Sequence, residues 1–246
     1  MIAPEAEPPH LQMALDEVLL ERLRAGARGP TLRVWEWSQP ALVIGSHQSV
    51  RNEVDTECAA AAGFTITRRM SGGGTMLAEP GRTVTYSIYA PLALVAHLSL
   101  VDSFAFLDAW AVAALRRLGV PAGYRPVNDI VSPEGKIGGA AQARRGTAVL
   151  HHTTIAHAMD PDLLGRLIRM GAERVNPIGV RSAVRLVTPL DRYLAIGAHE
   201  VTAFLSAAFA AAVPARPGAI TQEERAAAAA LAREKYGAAA WIERLP

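Results

Sequence analysis

The chain has 246 residues, half of them hydrophobic and a fifth charged, enough for one sizeable core and too apolar for intrinsic disorder. Its 25 basic and 23 acidic residues leave a net charge of +2, which excludes a general nucleic-acid footprint, and a single cysteine excludes an intramolecular disulfide framework. No run approaches the roughly 18 uninterrupted apolar residues of a membrane span, and the first nine residues are proline-rich and acidic, unlike a signal peptide. A cytoplasmic protein with no membrane partner is expected.

Residues 11–23 place Leu11, Leu15, Val18, Leu19 and Leu23 near one helical face, with Asp16, Glu17 and Glu21 elsewhere, and predict a helix. Short strands follow at 32–37 and 41–44, separated by Ser38-Gln39-Pro40, a turn signal. A helix is expected over 53–62, stopped by Gly63 as a C′ glycine, then strands at 64–67 and 83–89. Residues 101–118 form a long amphipathic helix ending at Gly119. A β region follows at 124–126, 128–132, 136–143 and 147–158, with Pro133-Glu134-Gly135 as a hairpin loop that puts Lys136 at the start of a returning strand. Helices are expected at 161–170, 199–212 and 221–236, the last opened by a Thr221…Glu224 capping box. This order lacks the strict alternation of a doubly wound sheet. An α+β fold with a mixed, largely antiparallel sheet flanked by helices is expected.

The strongest local feature is Arg68-Arg69-Met70-Ser71-Gly72-Gly73-Gly74. Glycines in a row suit a backbone that approaches a ligand closely or points N–H groups at an anion, and the arginines beside them suit phosphate or carboxylate. A flexible turn between strands fits the same residues, and the run matches neither a Walker loop nor a dinucleotide fingerprint. Lys136 is one of only two lysines, the other being Lys235, and it is followed by the small and apolar Ile137-Gly138-Gly139-Ala140-Ala141. Such a cation polarises an acyl carbonyl or stabilises a departing phosphate; a solvated hairpin lysine is the plainer alternative. Asn128 can read a base edge or ribose and Asp129 can hold a metal ion against phosphates, while a strand-start cap accounts for them equally well. Adjacent His151 and His152 point to opposite faces of a strand and lack a third ligand at zinc spacing. Cys58, within an Ala-rich helix, reads as a small core residue.

Taken together these segments resemble the lipoate–protein ligase family of the biotin/lipoate ligase superfamily. The resemblance spans residues 11–241. Its anchors include Met13-Ala14-Leu15-Asp16-Glu17, Arg33-Val34-Trp35-Glu36-Trp37, Val43-Ile44-Gly45-Ser46-His47-Gln48, Glu53-Val54-Asp55 and the glycine run through Thr75. Further on stand Asn128-Asp129-Ile130-Val131, Gly135-Lys136-Ile137-Gly138-Gly139-Ala140-Ala141-Gln142, Leu150-His151-His152-Thr153-Thr154, Gly179-Val180-Arg181-Ser182-Ala183-Val184 and Lys235-Tyr236-Gly237…Trp241. The resemblance implies a class II aminoacyl-tRNA synthetase/biotin ligase-like fold and one catalytic domain over residues 1–246, without the C-terminal accessory domain of many such ligases. It implies ATP, lipoate and magnesium, with lipoate activated as lipoyl-adenylate and passed to a lysine of a lipoyl domain. Acceptors would be the lipoyl domains of 2-oxoacid dehydrogenase complexes or the glycine cleavage H protein, and a separate accessory subunit is a further implied partner.

By position, the resemblance makes Lys136 the essential lysine and Asp129 the metal ligand. Arg68, Arg69, Ser71, Gly72, Gly73, Gly74, Thr75, Asn128, Gly139, Ala140 and His152 become substrate or nucleotide contacts. Where the family continues with His-Asp-x-Gly-Asn, this chain has Ala78-Glu79-Pro80-Gly81-Arg82, and Arg82 is expected at a phosphate. The main alternative is a transferase moving octanoyl from acyl carrier protein without ATP. Such relatives generally use a cysteine thiolate, and Cys58 maps to none of their nucleophiles. A biotin ligase lacks support because Gly-Arg-Gly-Arg-x-Gly is absent, and Lys136 within its motif argues against a non-catalytic lipoyl-binding protein.

Overall fold

A computed structural model describes residues 1–169, 182 and 186–245. Strand β1 (Ala6–Glu7) precedes helix α1 (Pro9–Arg24), which opens on a proline whose φ is preset for a first helical turn and closes with Arg22 and Arg24 against the helix dipole. Next come β2 (Thr31–Trp37), β3 (Ala41–Ile44), α2 (Val50–Glu53), α3 (Thr56–Ala61), β4 (Thr65–Arg68), β5 (Met76–Ala78) and β6 (Thr83–Pro91). Helix α4 (Leu100–Arg117) leads to β7 (Gly123–Arg125), β8 (Asp129–Ser132), β9 (Gly135–Arg145) and β10 (Ala148–Ala156). Helices α5 (Pro161–Leu167), α6 (Ala198–Ala212), α7 (Gln222–Leu231) and α8 (Ala239–Ile242) complete the described elements.

Among the described residues the larger sheet has seven strands in the order β1-β2-β6-β10-β9-β8-β7, and only β1 and β2 run parallel. The fold is therefore α+β with a largely antiparallel sheet flanked by helices. Strand alternation sorts the core. Leu32 and Val34 of β2 join Leu107, Ala111 and Leu115 of α4 and Val201 and Leu205 of α6 on one face. Trp35 and Trp37 join Met13, Ala14 and Val18 of α1 and Ala228 of α7 on the other. A second sheet, β4-β3-β5, pairs β3 parallel to β4 and antiparallel to β5. It packs against α5 through Leu42, Ile44, Leu164 and Leu167.

Several expected elements differ. The helix expected over 53–62 is two short helices. Val54 is buried and extended and bridges to Ile168, after which the Asp55 carboxylate accepts from the Cys58 amide at 2.9 Å and starts α3 afresh. The helix expected over 161–170 ends at Leu167, because Ile168 takes that extended bridge. β5 and β1 were not expected; each is too short to show a period. The capping box at α7 is present: the Glu224 amide donates to Thr221 Oγ1 at 3.2 Å, and the Thr221 amide donates to the Glu224 carboxylate at 2.8 Å. Among the described residues no helix is long and apolar enough to cross a membrane.

Candidate active site

The two sheets diverge around a cavity of about 400 Å³. One wall is β9 and β10, with residues 137–141 and the alternate residues His152, Thr154 and Ala156 facing in. Val43 of β3, Met76 and Leu77 of β5, and Gly73, Gly74 and Thr75 form the other. Met13 and Trp35 close the His152 end, and Met159, Leu164 and Ile168 close the Ala156 end. From His152 to Ala156 the strand advances about 13 Å at roughly 3.3 Å per residue, so the cavity is a slot laid along β10.

Lys136 reaches the middle of the slot. The β8–β9 hairpin pairs Ser132 with Gly135, as the Pro133-Glu134-Gly135 turn predicts, and the Lys136 backbone is stitched to a neighbouring strap. Its N–H donates to Leu186 O at 2.8 Å, and its carbonyl accepts from the Thr188 amide at 2.7 Å. The side chain then lies back across β9, with Nζ 2.7 Å from Asp129 Oδ1. Gly139 makes this path possible: a Cβ there would stand 2.7 Å from Lys136 Nζ. Asp129 also accepts from Arg125 at 3.4 Å. Asn128 lines the slot and donates through Nδ2 to Ala140 O at 2.5 Å, fixing the entry to β8.

The two arginines of the glycine run have different surroundings. Arg69 lines the slot, but its guanidinium donates to Val43 O (3.0 Å), Gly72 O (2.6 Å) and Gly74 O (2.8 Å), drawing the glycine loop into a curl. Burial lowers its pKa to about 10. Gly73 takes φ +90°, which an L side chain rarely adopts, and Gly45 packs so closely that a Cβ would lie 2.1 Å from Gly73 O. Arg68 does not line the slot. Expected at an anion, it is instead buried and donates to the carbonyls of Gly45, Gln48, Trp241 and Ile242.

Ser71 also lies behind the slot wall, 1 % exposed, at the end of a buried relay. His152 Nε2 is 2.6 Å from Ser71 Oγ, and His152 Nδ1 is 2.8 Å from Asp16 Oδ2. Asp16 Oδ1 accepts from Arg33 (2.9 Å), Ser87 (2.9 Å) and Tyr89 (2.6 Å). Burial pushes the His152 pKa down, with the Asp16 carboxylate opposing. The ring is therefore neutral at pH 7, donating from Nδ1 to Asp16 and accepting the Ser71 hydroxyl at Nε2. Burial alone would push the Asp16 carboxyl up. The hydrogen bond from His152 and the Arg33 charge outweigh that and hold it below the ordinary range.

Of the expected site residues, Arg69, Gly73, Gly74, Thr75, Asn128, Asp129, Lys136, Gly139, Ala140 and His152 meet around the slot. Arg68, Ser71 and Gly72 stand behind its wall, Gly72 turning its carbonyl to Arg69. Arg82 stands apart from these. It sits in the β5–β6 turn, half-exposed and 3.6 Å from Glu79, and does not line the slot. Most of the Gly179-Val180-Arg181-Ser182-Ala183-Val184 anchor lies outside the described residues; Ser182 lines the slot and accepts from the Thr75 amide at 3.0 Å. Asp16, Arg33 and Gln48 were given no site role from sequence. Their signal was Gln12 and Asp16 four residues apart on α1, facing Arg33 between the apolar Leu32 and Val34 of β2.

Several known proteins resemble the chain in sequence or fold. The lipoyl protein ligase A/B catalytic domain model matches residues 8–210. The octanoyltransferase LipM of Moorella thermoacetica is 30% identical over 263 residues, covering 96% of this chain and 94% of its own. A bi-partite lipoate protein ligase from Thermoplasma acidophilum, solved in a study that includes its E2 lipoyl domain, has the same fold at 23% identity. Its TM-score is 0.81, covering 100% of this chain and 96% of that one. A lipoate-protein ligase A bound with ATP matches with a TM-score of 0.80 at 24% identity, covering 100% and 98%. The chain belongs to the lipoyl protein ligase A/B catalytic domain family, which takes in lipoate ligases and octanoyltransferases.

Proposed function

We propose that the chain ligates lipoate to a lysine of a lipoyl domain: the lipoate carboxylate attacks the α-phosphate of ATP to give lipoyl-adenylate and pyrophosphate, and the lysine amine then takes the acyl group and releases AMP. The observation that carries this reading is a largely apolar slot with the Lys136 ammonium at its middle and no thiol on its wall. The sole cysteine, Cys58, is on α3 and does not line the slot, so a thioester to this chain cannot form within it. A mixed anhydride with phosphate does not need one. With the acyl carbonyl at Lys136, the arm toward Trp35 and His152 suits the acyl chain. The arm toward Met159 and Ile168 suits the remainder of the donor.

The Lys136 ammonium, held by Asp129, stabilises negative charge developing on the carbonyl or phosphate oxygen as the acyl group moves. The curled Gly73–Gly74 backbone leaves room for phosphate where side chains would intrude. Magnesium would neutralise phosphate charge, and Asp129, the carboxylate on the slot wall among the described residues, would hold it beside the phosphates only by sharing oxygens that now face Lys136 and Arg125. The acceptor is a lipoyl domain of a 2-oxoacid dehydrogenase complex or the H protein, a class supported by the Thermoplasma ligase described with its E2 lipoyl domain.

The near full-length likeness to an octanoyltransferase favours a second reading, in which octanoyl passes directly from acyl carrier protein to the lipoyl domain without ATP. Intact mass of a lipoyl domain separates the two. It is incubated with the chain and lipoate, ATP and magnesium, or with octanoyl carrier protein, each with and without a candidate accessory subunit. Lipoyl addition that requires ATP is expected. Addition from octanoyl carrier protein alone would overturn the ligase reading, and no addition from either donor would overturn both.

A further inference from the structure

Arg68 is a joint between parts of the chain far apart in sequence. Its Nε is 3.0 Å from both Trp241 O and Ile242 O, its Nη2 donates to Ile242 O at 2.5 Å, and its Nη1 donates to Gly45 O at 2.9 Å and Gln48 O at 2.6 Å. Trp241 returns the contact, its indole N–H donating to Arg68 O at 2.9 Å. Arg244 stacks on the Trp241 ring at 4.1 Å and donates to Ser46 O at 2.5 Å. The turn at 238–242 is thereby locked to the 45–48 loop.

That loop bears on the slot through Gln48, which is fully buried and does not line it. Its Oε1 accepts from the Gly45 amide (2.8 Å) and the Thr75 hydroxyl (3.1 Å), and its Nε2 donates to Ser182 Oγ (3.3 Å). Thr75 and Ser182 both face the slot. The near-contact of Gly45 with Gly73 O couples the two loops directly.

We infer that Arg68 and Gln48 are positioning residues, through which the turn at 238–242 sets the placement of the glycine loop and Ser182 against the slot. Bidentate donation to backbone carbonyls is what a guanidinium provides and an ammonium does not. The preceding helix has its own moorings: Glu223 to Arg22, Glu224 to Arg28, and Arg225 to Glu5 and Glu7. Removing residues 238–246 therefore takes the Trp241 and Ile242 carbonyls from Arg68, leaving it those of Gly45 and Gln48, while α7 keeps its own ion pairs.

The inference rests on the acyl-transfer reading for its kinetic half only. The test compares wild type, the deletion of 238–246, Arg68→Lys, Gln48→Ala and the Arg68→Lys/Gln48→Ala double variant. Amide hydrogen exchange is measured over 45–48 and 72–75, with kcat and KM for the donor. The deletion and Arg68→Lys should each speed exchange in 72–75 and raise the donor KM about tenfold, with kcat changed less than threefold, since displacement of about 1 Å is enough for such losses. The double variant should be no worse than its worse parent, because both residues act through one link. Unchanged exchange in 72–75 in the deletion overturns the inference, as do multiplying KM effects in the double variant. If Arg68→Lys fails to fold, the deletion still decides. If wild type transfers from no donor, the functional reading falls while the exchange arm still decides this one.

Discussion

Lys136 and Gly139 form a matched pair: the ammonium of one occupies the space that a side chain on the other would fill, 2.7 Å from the nearest possible Cβ. Gly139→Ala should push Lys136 away from Asp129 and lower kcat by tenfold or more, against the roughly 10²–10³ lost when one oxyanion-hole donor is removed outright. The same variant should leave the thermal midpoint within a few degrees, since β9 needs no glycine flexibility there. Lys136→Ala should fall at least as far. Equal activity of Gly139→Ala and wild type would mean the ammonium has no fixed post.

The Asp16–His152 pair makes stability depend on pH in one direction. Both groups have pKa values below their ordinary ranges. The unfolded chain therefore binds protons first, as pH falls below about 6.5 at the histidine and about 4 at the carboxyl, and the folded state loses stability on acidification. Urea midpoints should hold steady above about pH 7 and decline toward pH 5, with a shallower decline in His152→Gln. Asp16→Ala leaves Arg33 buried without its carboxylate and should cost about 3–5 kcal/mol at pH 7. A midpoint that rises on acidification would contradict the assignment.

Cys58 is partly buried, packs against the apolar cluster beside the second sheet and does not line the slot. Cys58→Ser should therefore keep acyl transfer within about twofold of wild type with either donor, at a modest stability loss of about 1 kcal/mol. Mass spectrometry should find no acyl group on the chain after donor is supplied. Loss of transfer in Cys58→Ser, together with a trapped acyl thioester, would restore thiol catalysis.

Arg82 faces Glu79 instead of the slot. Arg82→Asn should leave the nucleotide KM within about twofold, contrary to what its place in the sequence suggests. A larger shift would mean that the β5–β6 turn reaches the donor during turnover.

Local pattern made much of this legible. The periodicity of residues 11–23 marks α1, the turn residues 133–135 locate the hairpin, and scarcity of lysine singles out Lys136. Other features were hidden because their partners are remote. Asp16 reads as a solvent-facing helix residue until β2 brings Arg33 beneath it. The two arginines at 68 and 69 are alike in sequence, yet strand alternation sends one to the slot and the other to the carbonyls of Trp241 and Ile242. The parallel pairing of β3 with β4 and the three-residue β5 carry no periodic signal, so the second sheet, and with it half of the slot, was not visible.

His151 and His152 extend the lesson of alternation. His152 meets Asp16 on the slot side; His151 meets Asp108 at 2.7 Å on the other side, where Thr153 and Tyr86 bind the same carboxylate. A single ply of backbone thus separates two independent ledgers of residues on β10. Of the odd positions, His151 and Thr153 share Asp108 and Ile155 joins the apolar core, while the even positions 152, 154 and 156 line the slot. Variation at 154 and 156 would change what the slot meets while the Asp16–His152 and Asp108–His151 contacts on either face are left alone.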